Sequence, residues 1–205
     1  MRVSPLKDGI HRPRLAHVWI RAADDFYVEP NWCDERLFEV ESFSRSRLLF
    51  DPCCGSGRVT IAARQAGYRV QVSDIVDREL FPMDRVQDFL KRKHVPLGAP
   101  WCATHLLTWW RSSPVMRSHW AAHKVALLFP NARLNAAHWL WVLPLRRVWY
   151  LSPRPSMPPY SVIARGERPG GGKTDYCWLV FERGYVGQPE MHQLSRDKTG
   201  KGEHR

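Results

Sequence analysis

The spacing of apolar positions switches between two periods along this chain, and the switches mark its elements. Leu48-Leu49-Phe50 is a short apolar run followed by polar, glycine-bearing sequence from Asp51 to Gly57. From Ser56 through Ala66 the apolar positions fall on one face of a helix, which Gly67-Tyr68 closes. Arg69-Val70-Gln71-Val72-Ser73 alternates as a strand, with Asp74 at its carboxyl end. Val86-Gln87-Asp88-Phe89-Leu90 marks the end of a third strand. Lys124 to Phe129 is nearly all apolar, the mark of a strand buried on both faces. Asn131 to Leu143 reads as a helix with Asn131 as its N-cap, stopped by Pro144. Arg147–Leu151 and Tyr176–Phe181 read as late strands, divided by a stiff loop, Ser152 to Pro159, and by Gly170-Gly171-Gly172. Alternating strands and helices predict an α/β fold built on a parallel sheet.

The first strand-to-helix turn carries the most chemical information. Glycines at 55 and 57 permit a sharp turn and close approach of a ligand. The free N–H groups that open the following helix favour negative charge there. Asp74, about 20 residues on, stands where such folds hydrogen-bond a ribose hydroxyl pair. The third glycine of a nicotinamide or flavin fingerprint is missing. Asp51, at the end of the first strand, would repel a pyrophosphate but could receive an ammonium group. That combination favours S-adenosylmethionine (SAM), with its zwitterionic amino-acid end and positive sulfonium.

Asp51-Pro52-Cys53-Cys54-Gly55-Ser56-Gly57, with Ser73-Asp74-Ile75 after it, resembles the first two motifs of class I SAM-dependent methyltransferases. More narrowly it resembles the small phage-type enzymes that methylate adenine N6 in DNA, over about residues 25–185. Phe26-Tyr27-Val28-Glu29-Pro30 resembles the family's cofactor-covering segment. The resemblance implies a Rossmann-like sheet of seven strands, mostly parallel, with an antiparallel C-terminal hairpin and helices on both faces. It implies that Tyr27, Glu29 and Pro30 cover the cofactor and that Asp51, Pro52, Cys53, Gly55 and Gly57 hold its methionine part. Asp74 would bind the ribose hydroxyls with Ile75 beside it in the cofactor site, and Asp88 with Phe89 would hold the adenine. The methyltransferase domain is expected over 25–187, after an N-terminal extension (1–24) and before a disordered polar tail (188–205).

Amino-methylating members carry a further motif, [Asn/Asp/Ser]-Pro-Pro-aromatic, whose polar atoms orient the target amine and whose ring stacks on an extruded base. It belongs before the strand at Lys124 and is absent there. Residues 97–121 instead follow no clean period and are crowded with tryptophan. Reading from Trp101 to Trp120 in a shifted codon phase permits Val-Val-Cys-Asn-Pro-Pro-Phe, then an amphipathic helix. We therefore read 97–121 as an out-of-frame segment, irregular in structure, which leaves no catalytic residue to assign. Met157-Pro158-Pro159-Tyr160 is a weak substitute, because Met157 cannot accept a hydrogen bond from the amine.

Composition narrows the partners. The 205 residues carry a formal charge of +11, which favours a polyanion, with DNA the expected partner. Arg154, Arg165, Arg168 and Lys173, in the loop between the late strands, are the candidate phosphate contacts. No apolar run approaches the ~18 residues of a membrane span. The opening residues do not resemble a signal peptide, and five irregularly spaced cysteines suit a reducing cytoplasm. Neighbouring Cys53 and Cys54 make a poor metal pair, so no metal is expected. Two rival readings stay open: a methyltransferase for RNA, protein or a small molecule, and a catalytically silent protein on the same fold that binds nucleic acid or a partner.

Overall fold

The structure, a computed structural model, describes residues 26–91, 100–103 and 123–197. It holds one eight-stranded sheet of order β3-β2-β1-β4-β5-β7-β6-β8. The strands are β1 (Leu49–Asp51), β2 (Val70–Asp74), β3 (Arg85–Val86), β4 (Trp101–Ala103), β5 (Lys124–Pro130), β6 (Leu145–Ser152), β7 (Tyr176–Glu182) and β8 (Glu190–Ser195). β3, β2, β1, β4 and β5 are mutually parallel, and β7 runs antiparallel between β5 and β6. β8 pairs in parallel with β6.

The central strands are dictated by their apolar runs. Every residue of β5 is buried, and its side chains alternate between two cores. Ala126 and Leu128 join Trp178 and Val180 of β7 on one face, while Val125, Leu127 and Phe129 join Leu179 and Phe181 on the other. The first face is covered by α1 (Asn31–Val40) and α2 (Arg58–Gln65), through Cys33, Leu37, Phe38, Val59, Ala62 and Ala63. A short α3 (Tyr160–Ala164) completes the three α-helices among the described residues.

The expected Rossmann-like arrangement of seven strands with helices on both faces is corrected on both counts. Among the described residues the sheet has eight strands, and 3₁₀ turns rather than α-helices cover its second face. The stretch Asn131–Leu143, expected as a helix, forms 3₁₀ turns at Asn131–Arg133 and His138–Val142. Leu134, Ala137, Leu140 and Leu143 each donate their backbone N–H to the carbonyl three residues back. The apolar side chains on this stretch recur every third residue, which eclipses them on a 3₁₀ turn and drifts around an α-helix.

The eighth strand lies within the stretch expected as a disordered tail. Glu190–Ser195 is largely polar because it is an edge strand, and only Leu194 reaches the core. Arg36 of α1 pins its end by donating to the Ser195 carbonyl at 2.9 Å. Part of the segment expected to be irregular is also regular. Trp101–Ala103 fills the gap between β1 and β5, with Phe50 donating to the Pro100 carbonyl at 2.9 Å. Backbone pairing of this kind asks little of the side chains. The rest of the proposed out-of-frame stretch, 97–99 and 104–121, lies outside the described residues.

Candidate functional site

β1 and β2 end side by side, so Asp51 and Asp74 flank the turn that leads into α2. Gly55 and Gly57 adopt φ of 52° and 82°, the left-handed region that glycine enters without strain. Close approach reinforces the requirement. A Cβ at Gly57 would lie 2.2 Å from the Phe81 ring, and one at Gly55 would lie 3.2 Å from Phe26. The turn is tied to β2 by the Cys54 N–H on the Ser73 carbonyl at 3.0 Å and by the Gly55 N–H on Asp74 Oδ2 at 2.8 Å.

The two aspartates are held differently. Asp51 is fully buried and accepts from the Thr60 hydroxyl at 2.7 Å and from the Cys53 N–H at 3.4 Å. Burial pushes its carboxyl up to about 7; those hydrogen bonds oppose the rise, and the charges of Glu29 and Asp74 add to it. Asp74 accepts from Gly55, from the Val76 N–H and from Arg78 Nη1, the last at 3.3 Å. Arg78 also lies 4.3 Å from the Phe26 ring centroid, so a cation and an aromatic roof the turn.

The segment expected to cover a cofactor does lie against this turn. Phe26 stacks on Tyr160 at 5.2 Å, and Tyr27 bridges to Pro159. Val28 donates to the Pro158 carbonyl at 2.9 Å. Met157-Pro158-Pro159-Tyr160 is therefore the backbone partner of the covering segment. Glu29 is 6 % exposed, and its carboxyl is pushed up to about 7 by burial, with Arg58 opposing. Pro30 is the N-cap residue of α1, and Pro52 is buried.

The remaining expected residues divide. β3 ends beside Asp74, with the Gln87 N–H on the Asp74 carbonyl at 2.7 Å. Ile75 and Val86 are exposed apolar residues at this edge. Asp88 is half-buried, 3.6 Å from the Lys91 ammonium. Phe89 is core, packed on Phe50 at 5.9 Å. Cys53 and Cys54 have thiols held protonated, Cys54 up to about 12, by burial and the neighbouring carboxylates. Among the described residues no group of His, Cys, Asp or Glu is arranged to hold a metal ion.

In the basic loop, Arg154 forms a two-pronged ion pair with Asp175, and Arg165 pairs with Glu167. Local acids thus neutralise two of the four expected phosphate contacts, leaving Arg168 and Lys173 as exposed cations. Lys173 lines a cavity of about 280 Å³ with Tyr27, Met157 and Tyr176.

Sequence reasoning missed Asp34, Arg58, Phe81 and Arg78. Asp34 is 0 % exposed, and neither carboxylate oxygen has a hydrogen-bond partner; Arg58 Nε is likewise buried without one. The signal for Asp34 was present in the spacing. It stands three residues before Leu37 and four before Phe38, on the buried stripe of α1.

No protein-family model matches the chain, and no curated protein matches it in sequence. Among solved structures it is similar to a modification subunit assigned to a type I restriction enzyme from Vibrio vulnificus YJ016. That likeness has a TM-score of 0.53 at 13% identity, covering 85% of this chain. The chain spans about half (48%) of that subunit's length, and at this identity the likeness is one of fold. No helix among the described residues is long and apolar enough to cross a membrane.

Proposed function

We propose that this protein is a SAM-dependent methyltransferase whose substrate is an amine of DNA, adenine N6 by the resemblance of its motifs. The observation that carries the reading is the glycine turn between two carboxylates. Its glycines take left-handed φ and pack directly against the Phe81 and Phe26 rings, and Asp51 and Asp74 stand at adjacent strand ends. Asp51, Gly55 and Gly57 hold the methionine part, with Tyr27, Glu29 and Pro30 over it. Asp74 takes the ribose hydroxyls, which requires Arg78 to yield one carboxylate oxygen. Ile75 and Val86 offer apolar surface to the adenine, with Asp88 beside them; Phe89 supports this edge from within the core.

When bound, SAM supplies a methyl group on a positive sulfur. The protein's part is to orient it, exclude water and hold an amine in line, which can supply most of the rate. Asp51, Gly55, Gly57 and Asp74 would hold SAM, which would supply the methyl to an incoming amine, whose proton would pass to solvent. Arg168 and Lys173 are the exposed cations for DNA phosphates. The similarity of fold to a restriction enzyme's modification subunit supports this substrate class.

The missing amine-positioning motif favours a second reading, a cofactor-binding protein without transferase activity. Two assays separate the readings: calorimetric titration with SAM, and transfer of a tritiated methyl group to unmethylated DNA. Binding with transfer supports the enzyme, binding without transfer the silent protein, and indifference to SAM removes both. The nucleotide sequence tests the frame directly. If its third codon positions across 101–120 do not spell Asn-Pro-Pro-Phe in the shifted phase, the out-of-frame reading is wrong.

A further inference from the structure

β1, β5 and β6 run parallel and end at one edge of the sheet, where β7 begins. The glycine turn leaves β1 at that edge, and the loop from β6 to β7 lies there too. Residues 26–28 touch both. Val28 donates to the Pro158 carbonyl, and Tyr160 donates to that of Phe26. Phe26 packs toward Gly55, whereas its neighbour Tyr27 lines a cavity of about 280 Å³. Residues 170–174, Ser156 and Tyr176 line the same cavity. The glycine run lies close on the loop 152–159 because residue 172 has no side chain. A Cβ there would stand 1.9 Å from the Pro155 carbonyl oxygen.

The lining of this cavity is one-sided in charge. Among the described residues Lys173 has no acidic partner, and no carboxylate lines the cavity. The acid next in sequence, Asp175, is taken by the two-pronged pair with Arg154. Burial and the nearby Tyr27 hold the Tyr176 phenol above its ordinary value while Arg133 opposes, so its proton stays available for donation. One ammonium, several hydroxyls and glycine backbone N–H groups suit a group with several anionic oxygens. We infer that this cavity seats one phosphate ester of a nucleotide, held by Lys173 with the hydroxyls of Thr174 and Tyr176. A nucleic-acid strand and a free nucleotide present the same group, and the charge of +11 favours the strand. For the strand this rests on the proposed DNA substrate, and it places one phosphate contact against the covering segment.

Fluorescence anisotropy with a labelled single-stranded DNA oligonucleotide, beside calorimetry with adenosine monophosphate, tests the seat. Lys173→Gln should weaken the strand about tenfold. It should also lower the slope of log affinity against log salt by about 0.7. Thr174→Val and Tyr176→Phe should each weaken the strand about threefold and leave that slope unchanged. Arg69 is an exposed cation at the opposite edge of the sheet. Arg69→Gln should change the affinity by less than about twofold. If Lys173→Gln and Arg69→Gln weaken the strand equally, or if both hydroxyl variants bind as the wild type does, the seat is overturned while DNA binding stands. If the wild type binds adenosine monophosphate but no oligonucleotide, and Lys173→Gln loses it, the seat stands and the DNA reading falls. Binding of neither removes both.

Discussion

Two carboxylates, Glu41 and Asp34, end up almost wholly buried at opposite ends of α1, and their surroundings could hardly differ more. Glu41 is met by Lys124 at 2.6 Å, by Trp149 Nε1 at 2.7 Å and by the Arg147 fork. Burial alone would raise its carboxyl; the hydrogen bonds from Arg147, Lys124 and Trp149 outweigh burial and hold it below the usual range. Asp34 receives no hydrogen bond, and burial among other acids drives it up. The first arrangement is complete within the chain and joins α1 to β5 and β6. The second is incomplete within the chain, and it lies beside the glycine turn. Saturated charge belongs to the scaffold here, and unsaturated charge lies beside the turn proposed to hold the methyl donor.

The sharpest way to break the contrast is Glu41→Gln. It strands Lys124 and Arg147 without their carboxylate and should cost about 3–5 kcal/mol in urea unfolding. A loss below about 1 kcal/mol would place the cluster among ordinary surface ion pairs. Gly57→Ala comes next. It forces a side chain into the left-handed region and against Phe81, for an expected loss of about 2–4 kcal/mol. It should also remove the rise in melting temperature produced by SAM, and a variant that keeps that rise contradicts the role of the turn.

Acidity separates the two regions with a smaller effect. Glu29 and Asp51 ionise near 7 when folded and near 4 when unfolded. Their contribution is fully present below the lower value and is lost as pH rises through the upper one. Glu41 acts in the opposite sense, its stabilisation being lost only as pH falls below the ordinary carboxylate range. Between pH 5 and 8 the ligand-free chain should therefore lose roughly 10 °C of melting temperature, and SAM should cancel most of the loss. A flat or rising profile speaks against the unsatisfied cluster. Arg154→Ala is the smallest change. Its ion pair with Asp175 is fully exposed, so stability should not change measurably, and a clear loss would mean that the pair organises the loop.

What the sequence revealed follows the same division. The glycine turn and the strands beside it were readable because each is fixed by local spacing: Gly55 and Gly57, the run from Lys124 to Phe129, the alternation before Asp74. β8 was hidden because an edge strand needs one buried side chain, Leu194, and shows polar residues elsewhere. The helix expected after Asn131 became 3₁₀ turns because apolar residues spaced by three were read against a period of 3.6. Asp34 and Arg58 were hidden for a different reason. Charged residues at the start of a helix ordinarily face water, and their burial depends on how α1 and α2 meet over the turn, which no local pattern encodes.

The most direct measurement is calorimetric titration of the chain with SAM at pH 7.5. A saturable heat at one SAM per chain, abolished by Gly57→Ala, is the predicted result. A chain that gives no binding heat, with a melting temperature unmoved by millimolar SAM, would contradict the account at its root.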